Sequence, residues 1–106
     1  MFAEYTKRYQ DIILSMPDIV YSGVGELDAL SLKHLQLYFD LCSEEYHLWR
    51  NGIVPNDIWK LWSEEMRITI QNPIYQKAWN KFRNDYYKTF QTYFDTEITG
   101  YNSTQD

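Results

Sequence analysis

Two interruptions, Asn51-Gly52 and Asn72-Pro73, constrain this chain more than any other feature. Glycine takes the left-handed backbone conformation without steric cost, so Asn-Gly closes a helix. Asn before Pro supplies an N-cap followed by a residue whose missing N–H no first turn needs. Around these stops, apolar residues recur three and four apart and no period-two pattern competes. A chain of helical segments joined by short connections packs its neighbours antiparallel. The sequence therefore predicts an all-α fold, a small antiparallel helical bundle of about four helices with short loops.

The spacing places the first helix over about 2–15, with Tyr5, Tyr9, Ile12 and Ile13 on one face, and Pro17 stops it. Residues 17–26, PDIVYSGVGE, read as a loop. The second helix runs from Asp28 or Ser31 to about Asn51, with a wide apolar face of Leu35, Phe39, Cys42, Tyr46 and Trp49, flanked by Leu30, Leu37, Leu41 and Leu48. Pro55-Asn56-Asp57 opens a third helix to about Gln71, which buries Ile58, Trp59, Trp62, Met66 and Ile70. A fourth, unbroken from Pro73 to Phe94, carries the seam Tyr75, Trp79, Phe82, Tyr86, Phe90 and Tyr93. Residues 1–98 make one helical domain and 99–106 a polar, frayed tail.

Nineteen aromatic residues in 106 (ten Tyr, five Phe, four Trp) are too many for so small a domain to hide. Some belong on the surface, and Tyr and Trp are enriched at interfaces. The expected interface residues are Trp59, Trp62, Tyr87, Tyr93 and Phe94, with Tyr38 behind them. A net charge of −5 argues against nucleic acid as a partner. The charge is uneven: residues 26–66 hold eight acids against three bases, and 67–106 five bases against four acids. Lys77, Lys81 and Lys88 fall on one face of the fourth helix, set to complement the acidic second. A single Cys excludes an internal disulfide. No secretory pattern or run of about 18 apolar residues occurs, so the expectation is a cytoplasmic protein without a membrane span.

The stretch YFDLCSEEYHLWRNG gathers residue types that do chemistry. Asp40, Glu44 and His47 share a helix face, and Glu44-x-x-His47 has the spacing of di-iron bundle ligands. That architecture needs a second Glu-x-x-His, and His34 has Ser31 three residues before it. A solvated acidic face is the better reading. Cys42 lies on the apolar stripe with no base in reach, which fits a small buried hydrophobe rather than a nucleophile. No phosphate loop or zinc spacing is present, so the expectation is no enzyme, no metal and no cofactor.

The run LKHLQLYFDLCSEEYHLWRNGIVPNDIWKLWSEEMR, followed by NPIYQKAWNKF, resembles a group of small bacterial helical proteins of unknown function. Their pattern is YF-x-LC-x-EEY, a Gly-ended turn, a helix entered as x-x-x-W, and a restart at Pro before AW. RYQDIILSMPD fits its start, so the resemblance covers about residues 8–95. It implies a helical fold and carries no catalytic residue. Some relatives have membrane helices ahead of the module, which this sequence does not show.

These readings converge on a non-enzymatic protein-interaction module that self-associates, as a homodimer or larger homo-oligomer, or binds another protein. The alternative is a small-ligand or regulatory sensor with an aromatic-lined pocket between helices, oriented by Glu45 or His47 beside Tyr46.

Overall fold

A computed structural model describes residues 2–14 and 28–100. It contains α1 (Phe2–Leu14), α2 (Ala29–Arg50), α3 (Asn56–Thr69), α4 (Pro73–Phe82), a 3₁₀ turn (Arg83–Asp85), α5 (Lys88–Tyr93) and a π-wound turn (Phe94–Thr99). Among the described residues the fold is all-α, with no strand. The expected loop at 17–26 and most of the expected tail lie outside them.

The helix ends follow local chemistry. Asp28 caps α2 by accepting the Ser31 N–H at 2.7 Å. At the other end Gly52 has φ of 78°, and its N–H and that of Ile53 donate to Trp49 O at 3.0 Å and Leu48 O at 2.9 Å. This pairing closes the last turn as a Schellman motif. Asn72 caps α4 by accepting from Ile74 N at 2.9 Å, with Pro73 as its first residue. Asn56 does not cap α3, which is preceded by Pro55. Its side chain instead accepts the Trp49 indole N–H at 2.8 Å, tying the α2–α3 corner together.

α2 is the hub, packed against α1, α3, α4 and α5. Phe39 is fully buried near its middle, with ring centroids 5.3 Å from Trp79, 5.8 Å from Phe94 and 6.5 Å from Tyr75. A second aromatic group joins α2, α3 and α5: Trp49 stacks on Trp59 at 4.9 Å, and the Trp59 indole donates to the Tyr93 hydroxyl at 3.0 Å. Both interlocks fill the interior with rings in edge-on, tilted or stacked contact, arrangements that stabilise beyond area burial alone.

The fourth helix departs from the sequence expectation. It ends at Phe82, and Tyr86 and Tyr87 are extended before α5 begins. In an unbroken helix Trp79 and Phe94 would stand about 22 Å apart along the axis at 1.5 Å per residue. Their ring centroids are 4.4 Å apart, because the chain folds back there. Asn84 and Asp85 are weak helix formers, and tertiary packing decides the conformation. The Tyr86 hydroxyl reaches α2, donating to Asp40 at 2.7 Å. Arg83 pairs with Asp95, which also accepts the Trp79 indole N–H at 2.8 Å. This reversal buries Phe90, Phe94 and Ile98, so the core extends along the chain as far as Ile98. Gly100 ends the π-wound turn where a Cβ would stand 2.8 Å from the Asp95 carbonyl oxygen.

Candidate functional site

The helical repeat builds a cavity of about 230 Å³ between α1, α2 and α3. Tyr5 and Tyr9, four apart on α1, form one wall with Thr6 and Gln10. Tyr38, Cys42 and Glu45, spaced four and three on α2, form the floor. Trp62, Glu65 and Met66 of α3 close the third side. Rings therefore surround the space: Tyr5 lies 6.0 Å from Trp62, and Tyr9 lies 6.5 Å from Tyr38.

Glu45 is the distinctive group in this lining. Its residue surface is only 7% exposed, and no hydrogen bond or ion pair holds its carboxyl among the described residues. Burial raises its pKa to about 8, the neighbouring Glu44 pushes it the same way, and Arg8 opposes them. Arg8 is committed elsewhere, donating to Glu44 at 2.6 Å with its guanidinium 5.3 Å from the centre of the Tyr5 ring. Across the cavity, the Tyr9 hydroxyl donates to Glu65 at 3.3 Å, which orients the second carboxylate. Burial raises the pKa of Tyr9, and Glu65 adds to the shift. Burial also holds Tyr38 and Cys42 well above their ordinary values, so Cys42 stays a thiol rather than a thiolate nucleophile.

The structure distributes the expected interface residues differently from the sequence reading. Tyr38, Trp59 and Phe94 are buried in this chain's own interior and present no surface to a partner. Tyr93 is half-buried against Trp59 and Tyr46, and Trp62 is half-buried on the cavity wall. Only Tyr87 is widely exposed, at 75%. The aromatic excess is absorbed because the fold-back brings Phe90, Tyr93 and Phe94 against rings of α2, α3 and α4.

Of the pocket residues expected from the sequence, Glu45 lines the cavity and the other two do not. Tyr46 packs inward against Phe90 and Tyr93. His47, two positions from Glu45 and so on a different side of the helix, packs its ring 5.4 Å from Tyr87. Asp40, Glu44 and His47 are drawn to separate neighbours: Tyr86, Arg8 and Tyr87. Among the described residues no three His, Cys, Asp or Glu side chains group as metal ligands. Lys77 and Lys81 lie on α4 and Lys88 on α5, so the break separates the expected basic face. None of the three makes an ion pair with α2.

Sequence reasoning missed Tyr5, Tyr9, Gln10 and Glu65 as site residues. Tyr5 and Tyr9 were legible only as part of a core stripe. The usable signal was on α2: Leu35, Tyr38, Cys42 and Glu45 are spaced three, four and three apart, placing a carboxylate on an apolar ridge. No helix among the described residues is long and apolar enough to cross a membrane. Compared with known proteins, the chain matches no family model, no curated protein and no solved structure.

Proposed function

We propose that this chain is a non-enzymatic binding module whose ligand site is the cavity between α1, α2 and α3. The observation that carries the reading is Glu45, a residue only 7% exposed whose carboxyl lines an aromatic-walled space. A carboxyl crowded by apolar and aromatic neighbours is poorly hydrated, and a ligand that brings a charge or donor to it gains more there than in water. Cavities of this kind, mostly apolar with a few convergent polar groups, are the usual form of a small-molecule site. The chemistry is that of holding rather than reacting: neither His34 nor His47 lines the cavity to activate Cys42.

The test is a fragment screen read at the Trp62 indole N–H by heteronuclear NMR, with Cys42→Met as control. The longer side chain grows into the cavity, so the fold survives and binding is lost. The proposal fails if no fragment moves the Trp62 signal, or if fragments move it equally in Cys42→Met.

Self-association is a second reading, supported by a different face. Leu61 and Ile68, seven apart on α3, are 60% and 65% exposed and make an outward apolar strip of the kind that seats a second copy. Light scattering across a tenfold concentration range decides it. A constant mass near 13 kDa removes this reading and leaves the cavity untouched.

A further inference from the structure

We infer that the ligand of this cavity is a small organic ammonium ion, its charge set between Glu45 and Glu65 and its alkyl groups against the rings of Tyr5, Tyr9, Tyr38 and Trp62. The inference rests on the cavity being a ligand site and adds the class of molecule it takes.

Charge selects first. Two carboxylates line the space and no cationic side chain does. The nearby cation, Arg8, is bonded to Glu44 and turned over Tyr5, outside the lining. A phosphate, carboxylate or nucleotide entering here would face the Glu65 carboxylate and find no cationic side chain in the lining, an unfavourable arrangement. A cation meets two acceptors, one of them on a residue only 7% exposed.

The walls select next. Tyr and Trp faces attract cations through their ring quadrupoles, most strongly when the cation is desolvated, and aromatic cages with a carboxylate recognise alkylammonium groups. Tyr5 already holds one cation in this way, the Arg8 guanidinium at 5.3 Å. A bare Mg²⁺ or Ca²⁺ fits poorly, because hard cations need six or more oxygen ligands and this lining is mostly carbon. Size selects last. The cavity's 230 Å³ is below the range for drug-sized ligands, which restricts the guest to a short alkylammonium.

Protonation is coupled to this step. A cation beside Glu45 favours its ionised form, so binding releases a proton from a carboxyl that burial otherwise keeps protonated. The groups facing Glu45 are Arg8 and Tyr9 from α1, Tyr38, Cys42 and Glu44 from α2, and Glu65 from α3. Burial keeps Tyr9, Tyr38 and Cys42 protonated, so they do not gain charge as the pH rises towards 8. Cation affinity therefore increases with pH through this range.

The experiment titrates the full chain with choline and n-butylammonium, and in parallel with their neutral counterparts 3,3-dimethylbutan-1-ol and butan-1-ol. Calorimetry gives affinity and the Trp62 indole signal gives location. The expected result is cation affinity at least about tenfold above that of the neutral counterparts. Glu45→Gln should cut cation affinity by a similar factor and leave the alcohols unchanged. Alcohols that bind at Trp62 as tightly as the cations would overturn the ammonium inference while upholding the cavity as a ligand site. Cations indifferent to Glu45→Gln would also overturn it. If neither cations nor alcohols move Trp62, and the fragment screen is silent too, the cavity reading falls with it.

Discussion

Replacing Glu45 by Gln should make this protein more stable at neutral and alkaline pH, by an amount that grows with pH. Glu45 titrates at about 8 in the folded chain against an ordinary 4.5, burial being the main cause. Between these values the folded state keeps the proton and the unfolded state has lost it. Stability therefore falls as pH rises, by about 1.4 kcal/mol per pH unit for one group. The contribution is fully favourable below 4.5 and is lost by the time the pH passes 8. At pH 7 the accumulated penalty is on the order of 3 kcal/mol, and it approaches about 5 kcal/mol above pH 8. Glutamine has the same shape and does not titrate. Any difference between burying an amide and burying a protonated acid is constant with pH and leaves the slope untouched. Urea unfolding of both proteins at half-unit steps from pH 5 to 8.5 measures the effect. Groups common to both drop out of the difference, which should widen with pH and then level off. Two parallel curves would refute the reasoning, because they would mean that the Glu45 carboxyl is as well solvated in the folded chain as in the unfolded one.

Three other expectations concern the frame that holds the cavity. Gly52→Ala should destabilise by about 1–2 kcal/mol in urea unfolding, because φ of 78° is strained for any side chain although nothing crowds a Cβ there. Asn72→Ala removes the acceptor for Ile74 N and should cost about 1 kcal/mol, measured in the same way. Cys42 should resist thiol reagents under native conditions and react on unfolding, because burial holds its thiol well above the ordinary value. Rapid labelling of the folded protein would show that the cavity floor opens to solvent.

The helices around the cavity were legible in the sequence because their ends depend on local chemistry. Asp28, Asn51-Gly52 and Asn72-Pro73 act within a few residues of themselves, and the structure ends or begins helices at each. The break after Phe82 was not legible, since no Pro or Gly marks it. It is set by partners far along the chain: Asp40 for Tyr86, and Phe39 and Trp79 for Phe94. The cavity falls between these cases. The spacing of Tyr38, Cys42 and Glu45 put a carboxylate on a buried ridge, but which helices would face it is a tertiary fact. Reading Trp59 and Phe94 as surface rings followed from counting aromatics without the reversal that gives them a place inside.

That reversal also sets the order in which the protein can assemble during synthesis. Phe39 is made long before Phe94, whose ring packs 5.8 Å from it and which comes, with Phe90 and Ile98, from the last described turns of the chain. On a ribosome adding about 5–20 residues each second, α2 emerges seconds before these partners. Until residues 90–98 clear the exit tunnel, its aromatic ridge lacks part of its cover. Pairings this distant in sequence form slowly because the loop between them must close first. The interval before closure is when the nascent chain most needs a chaperone.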